Sequence, residues 1–195
     1  MSPPLDRSFF ARPTLRVAEE LLGKRLLRIE ANGETLSGLI TETEAYIGPE
    51  DLACHGKSGE TARNRSLWGA PGRTYVYFTY GMHWLLNFVT EREGFPAAVL
   101  IRAIEPERGV ETMRLRRNGA PSERLTDGPA KLCQALDIDG KLDGVDVCGP
   151  DSPIRLQHRP RIDASLVLRG PRVGINSVPE PWKSIPWRFM TGARQ

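Results

Sequence analysis

Three cysteines and three histidines are all that this chain of 195 residues carries. Cys54, Cys133 and Cys148 form no C-x-x-C pair, and an odd count without regular spacing argues against a disulfide framework and for a reducing compartment. Cys54 stands beside His55, but no second group of His and Cys completes the four-ligand shell that zinc normally takes. Neither a metal nor another cofactor is expected. Long apolar runs are missing as well. The opening "MSPPLDRSFFARPTL" lacks the apolar centre of a secretory signal and the length of a membrane span. The expectation is a soluble intracellular protein, cytoplasmic or associated with the nucleoid, without membrane contact. Internal repeats and dividing linkers are also absent, which makes residues 1–195 a single domain with 1–10 as an N-terminal arm.

Neither sign of charge is in large excess. The net charge is +3, with 39% hydrophobic and 26% charged residues, so composition decides little beyond an ordinary soluble globular class. The cations are mostly arginine, however, and "RLRR" (114–117) and "HRPRI" (158–162) are dense in it. Guanidinium groups grip phosphates bidentately, so these runs suggest a polyanionic partner; the plainer reading is a solvated basic surface.

What the chain does have is an uneven distribution of tyrosine. Three of its four tyrosines lie in "TYVYFTYGMHWLLNF" (74–88), and the fourth, Tyr46, lies in "ITETEAYIGPEDLACH". The first stretch alternates like a strand, with Tyr75, Tyr77 and Thr79 on one face and Val76, Phe78 and Tyr80 on the other. "HWLLNFV" reads as the return strand, leaving Tyr80-Gly81-Met82 at a hairpin tip. Upstream, Leu15, Val17, Ala18, Leu21 and Leu22 recur at helical spacing, and Gly23 fits the helix end. "KRLLRIEANGETLSGLITETEAY" reads as a hairpin around Asn32-Gly33. Residues 48–72 read as a long surface excursion, a kind of loop that usually carries function. "AAVLIRAIEP" is a strand, while "GVETMRLRR" and "GPAKLCQALDI" are helices, the latter opened by Pro129. "VDVCG", "IRLQ", "SLVLRGPRVGI" and "WRFM" read as short strands. The order predicts an α+β fold: one curved, mainly antiparallel sheet, open-barrel or roll-like, with surrounding helices and a protruding β-hairpin.

Three features could carry chemistry. Glu42, Glu44 and Tyr46 share one face of a predicted strand, where adjacent carboxylates repel and one pKa can rise; solvated glutamates are the bland alternative. Arg102 interrupts an apolar run and must either point outward or meet an anion, because an unpaired buried charge is costly. Tyr80 and Met82 put bulky groups at a turn. They either fold back onto the core or form a wedge that enters a base stack. Taken together, aromatic walls from Tyr46, Tyr77 and His55, a carboxylate beside an arginine, and a wedge describe a pocket for an extruded base.

At "GLITETEAYIGPEDLACH", "RNRSLWGAPGRTYVYFTYGMHWLLNF", "AVLIRAIEP", "DGPAKLCQALDI" and "PRVGINSVPEPWKSIPWRFM", the chain resembles the alkyladenine (3-methyladenine, methylpurine) DNA glycosylases. The blocks lie between residues 38 and 190. The resemblance implies a monomeric, monofunctional, cofactor-free enzyme that acts on double-stranded DNA containing damaged purines. It assigns Glu44 as general base and Arg102 as the residue that places the attacking water. Tyr46, His55 and Tyr77 become the walls around the extruded base. Asn87 crowds the amino group of normal guanine, and Ile175 lies near the reacting nucleotide. Tyr80 becomes the intercalating residue and Met82 its neighbour on the duplex, with Arg63 and Lys131 as phosphate contacts. Two departures are visible. His83 stands where relatives often carry an aromatic such as tyrosine, and the region from 114 to 127 is shorter than in some relatives. The alternative reading is a non-catalytic nucleic-acid-binding module using the same surface.

Overall fold

The computed structural model describes residues 3–191. Within the expected N-terminal arm, Asp6 caps a short helix, α1 (Arg7–Phe10), by accepting a hydrogen bond from the Phe9 amide. Phe10 is fully buried, so part of this arm belongs to the core. In α2 (Thr14–Leu21), Thr14, Val17, Ala18 and Leu21 are buried at i, i+3, i+4 and i+7, the pattern of a helix that packs on one face. The helix ends before Gly23, whose φ of +74° suits a residue without Cβ.

All strand pairings among the described residues are antiparallel, in the order β3 (Thr74–Thr79), β4 (His83–Val89), β5 (Ala97–Arg108), β2 (Thr35–Ile47), β1 (Arg25–Ile29) and β6 (Ile154–Gln157), with β8 (Arg188–Thr191) joining β2 to β7 (Val167–Gly170). The expected hairpin joins β1 (Arg25–Ile29) to β2 (Thr35–Ile47), and the Asn32 side chain accepts from the Glu34 amide at the turn. β2 is the spine of the sheet. One edge pairs with β5 (Ala97–Arg108) throughout. The other pairs first with β1 and then, beyond Thr41, with β8 (Arg188–Thr191). β3 (Thr74–Thr79) and β4 (His83–Val89) form the second hairpin. α3 (Val110–Arg116) packs on α4 (Pro129–Ala135), and α4 covers β4 and β5. The core between helices and sheet includes Leu21, Ile40, Phe88, Ile101, Ile104 and Leu132; each such side chain contributes roughly 1.5–3 kcal/mol by leaving water.

Three expectations need correction. "VDVCG" is a turn with one isolated bridge, Arg73 to Asp146; Cys148 N–H donates to the Asp146 side chain instead of to a sheet. Of "SLVLRGPRVGI" and the "IRLQ" that precedes it, β6 (Ile154–Gln157) forms as expected, whereas the longer stretch supplies only β7 (Val167–Gly170). Residues 171–187 then run without regular structure, as a strap over the sheet. The excursion over 48–72 is folded inward. It holds two 3-10 turns, His55–Ser58 and Arg65–Trp68, and it buries Asp51, Cys54, Asn64 and Leu67. Asn64 does the tying, donating to the carbonyls of His55 and Gly59 and accepting from the Thr61 amide.

The arginine runs are also accounted for within the molecule. Arg114 pairs with Glu111, Arg116 with Glu30, Arg159 with Glu107 and Arg161 with Glu20. No helix among the described residues is long and apolar enough to cross a membrane.

Candidate active site

Sheet register builds the site. Tyr75 pairs with Asn87, Asn87 with Leu100, Leu100 with Glu44, and Glu44 with Arg188. Residues directly opposite across a sheet project to the same face, so this row carries Tyr75, Asn87 and Glu44 on one side. With strands about 4.8 Å apart, Asn87 and Glu44 stand roughly 10 Å apart, on the scale of one nucleotide.

A cavity of about 450 Å³ opens over this face, and Tyr46, His55, Tyr77, Tyr80, Asn87, Arg102 and Ile175 all line it. Glu44 is one layer behind, with no exposed surface. Its Oε2 accepts from the Tyr46 hydroxyl at 2.8 Å and its Oε1 from the Val173 amide at 2.6 Å. Arg102 Nη1 lies 3.4 Å from Oε1. A carboxylate offers about four lone-pair sites; two accept hydrogen bonds here, and Arg102 faces the carboxylate as an ion pair.

A break in the sheet aims Arg102. Between Ile40 and Thr43 the β2–β5 ladder shifts register, a bulge of the kind that redirects side chains beside functional sites. Arg102 Nε donates to Glu42 at 2.7 Å while Nη1 faces Glu44. Arg188 also approaches Glu42, at 3.4 Å. The two glutamates therefore do not confront each other across empty space, because one guanidinium lies between them. Burial nevertheless pushes the Glu44 carboxyl above its ordinary 4.5, against the lowering pull of Arg102, the Val173 amide and the Tyr46 hydroxyl, with Glu42 adding a smaller push upward.

Two of the walls, His55 and Tyr77, meet edge-on, with ring centroids 4.5 Å apart at 75°, and Tyr75 lies 5.3 Å from Tyr77. His55 Nδ1 is 2.8 Å from the Tyr75 hydroxyl. Burial, with Arg63 and Lys57 behind it, lowers the His55 pKa and keeps the ring neutral near pH 7. Asn87 is pinned by donating from its amide to the Tyr75 carbonyl at 2.9 Å.

At the second hairpin's tip, Tyr80 has φ +51° and Gly81 φ +67°. Two successive positive φ values are what a tight I′-type turn requires, but a tyrosine in that region is strained by roughly 1 kcal/mol or more. Its side chain is 80% exposed and Met82 66%, so neither folds back onto the core. Met82 is outside the cavity, as are Arg63, which donates to the Phe78 carbonyl of the hairpin, and Lys131, which is ion-paired with Asp127.

Sequence reasoning did not single out Asp51, Arg172 or Val173, nor Tyr75 as the partner of His55. Arg172 and Val173 sit inside "PRVGI", where nothing in residue type announces a buried charge or a structural amide.

The chain matches the family model described as methylpurine-DNA glycosylase over residues 8–195. A protein of Chlorobaculum parvum, provisionally named a 3-methyladenine DNA glycosylase, is 44% identical over 97% of this chain and 88% of its own length. One from Methanocella arvoryzae with the same provisional name is 45% identical, covering 96% and 92%. One from Rhodopseudomonas palustris is 44% identical, covering 100% and 90%. The chain therefore belongs to the methylpurine-DNA glycosylase family, a family of DNA repair glycosylases.

Proposed function

We propose that this protein flips a damaged purine out of double-stranded DNA and hydrolyses its N-glycosidic bond with a water activated by Glu44, leaving an abasic site. The observation that carries this reading is the placement of Glu44. It is a buried carboxylate directly behind a cavity with aromatic walls, hydrogen-bonded to one wall and facing an arginine that lines the cavity.

The chemistry follows from charge. As the bond to the base breaks, positive charge develops on the sugar, and a carboxylate held nearby in a medium of low dielectric stabilises it more strongly than it could in water. The same carboxylate accepts a proton from the attacking water, as the general base does in inverting glycoside hydrolysis. Arg102 favours the ionised form of the carboxylate and orients the water. An alkylated purine bears positive charge, which makes it a good leaving group and a good partner for the electron-rich faces of Tyr46 and Tyr77. Asn87, fixed by its bond to Tyr75, excludes a purine with an added exocyclic amino group. Ile175 closes the cavity beside the nucleotide. Tyr80, with Met82 beside it, fills the gap left in the duplex, and Arg63 and Lys131 face its phosphates.

With no lysine assigned as nucleophile, the enzyme is monofunctional and acts as a monomer, a single domain over 1–195. Duplexes carrying one alkylated purine test the reading. The wild-type protein releases free base and leaves an alkali-labile site, while Glu44→Gln binds the same duplex and releases none. Excision by Glu44→Gln at the wild-type rate overturns the assignment.

A further inference from the structure

Arg172 lies outside the cavity and is buried together with Asp51, both side chains being fully enclosed. Its fork reaches Asp51 through two bonds, at 2.5 and 2.9 Å. Nη1 also donates to the carbonyl of Ala45, the residue between Glu44 and Tyr46, at 2.9 Å, and Nη2 reaches the Trp182 carbonyl at 3.4 Å. The guanidinium carbon is 4.7 Å from the Tyr46 ring centroid and 5.1 Å from that of Trp187. Asp51 in turn accepts from the amides of Ile47 and Ala53, fixing the turn that leads to His55. One side chain thus joins β2, the His55 turn and the strap of residues 171–187.

A buried ion pair with additional hydrogen bonds is a poor means of adding stability, because desolvation offsets most of the attraction. Its geometry is what distinguishes it. The residue after Arg172 is Val173, which is 46% exposed yet donates its amide to the fully buried Glu44. The strap has no helix or ladder of its own around this point, so its register over Glu44 depends on side-chain anchorage.

We propose that Arg172, clamped by Asp51, is a positioning residue for the reaction. It fixes the strap so that the Val173 amide holds the Glu44 carboxylate, and it backs Tyr46 so that the stacking wall and the base move as one unit. This rests on the assignment of Glu44 as general base.

Three variants test it. Arg172→Lys keeps the charge and loses the fork. Asp51→Asn loses the carboxylate partner. Val173→Pro removes the amide donor while keeping both side chains of the buried pair, so it reports even where the first two fold poorly. Each is compared with wild type by single-turnover excision, normalised to the fraction of molecules that bind an abasic-analogue duplex. A hydrogen bond to a charged group corresponds to roughly 10- to 100-fold in rate, and all three variants are expected to lose that much while duplex affinity stays within about threefold. The acid limb of the pH–rate profile moves to higher pH in each, because a donor that favoured ionised Glu44 is removed in Val173→Pro and displaced with the strap in the other two. The other ionisable groups around Glu44 are unchanged: Glu42 and Tyr46 on β2, Tyr77 on β3, Arg102 on β5 and Arg188 on β8. A purely structural role predicts a smaller folded fraction with an unmoved limb, and that result overturns the proposal. So does a Val173→Pro protein with wild-type rate and profile. Glu44→Gln is run alongside. If it excises normally, the general-base reading fails; if it is inert while the three variants behave as wild type, only the positioning role fails.

Discussion

The Tyr46 hydroxyl donates to Glu44 Oε2 at 2.8 Å, so the ring that lines the base pocket is bonded to the carboxylate behind it. Binding the base and tuning the carboxylate are therefore functions of one side chain. Tyr46→Phe keeps the ring and deletes the donor. Its acid limb is expected at higher pH than that of wild type, since the hydroxyl lowers the Glu44 pKa, with little change in the affinity for an abasic-analogue duplex. Single-turnover rates from pH 4 to 8 measure this; an unshifted limb removes the coupling.

Burial raises the folded-state pKa of Glu44 above 4.5, and the sign for stability follows. A carboxyl that is harder to ionise when folded opposes folding by an amount that grows as pH rises above 4.5 and is complete above its folded pKa; below 4.5 both states are protonated and the penalty disappears. Glu44→Gln is thus expected to melt above wild type at pH 7, with the gap closing toward pH 4. Thermal melts across that range decide it, and a variant less stable at every pH contradicts the argument.

Tyr80 is 80% exposed and lines the cavity, so its loss is expected to act on the substrate and not on the core. Unstacking a base step costs a few kcal/mol, and Tyr80→Ala is expected to lower kcat/KM on duplex by roughly 30-fold, about 2 kcal/mol. On a single strand with the same lesion the loss is far smaller, because no stack must be opened. Equal losses on both substrates remove the wedge.

Breaking the pair between Asp51 and Arg172 leaves a charge buried alone, at about 3–5 kcal/mol. Arg172→Ala is expected to lower Tm by roughly 10 °C, read by calorimetry. A Tm unchanged within about 2 °C shows that the site admits water and refutes the burial argument.

Phosphate contacts differ in what they must first release. Lys131 is bonded to Asp127 at 2.9 Å, whereas Arg63, among the described residues, is held only by a carbonyl, that of Phe78. Arg63→Ala is expected to reduce the slope of log K against log salt by about 1, and Lys131→Ala by less. Titrations between 50 and 200 mM salt compare the two slopes; a larger change for Lys131 reverses the ranking.

The periodicities of the chain were enough for its local structure. Alternation through 74–89, the 3.6-residue spacing of Val17, Ala18 and Leu21, and Asn32-Gly33 each depend on neighbouring residues, so the helix and both hairpins could be read directly. Alternation alone also put Glu42, Glu44 and Tyr46 on one face. The irregular stretches were less legible. "SLVLRGPRVGI" has strand-like composition throughout, but only residues 167–170 find a partner, because β8 is short. The 48–72 loop looks solvated residue by residue and yet buries Asp51 and Asn64 against backbone donors and acceptors. In the arginine-rich runs that suggested an anion partner, several side chains are engaged with acids distant in the chain, Arg116 with Glu30 and Arg161 with Glu20 among them.

Local preference thus supplied the strands, the turn and the residue types of the pocket, since each is set within a few positions along the backbone. Three-dimensional packing alone decided that Arg102 lies between two carboxylates, that Glu44 sits behind the wall and not on it, and that Arg172 reaches across 121 positions to Asp51. Such pairings depend on sheet register and on burial. Both arise when segments remote in sequence compete for the same low-dielectric interior, and no window of neighbouring residues contains that information.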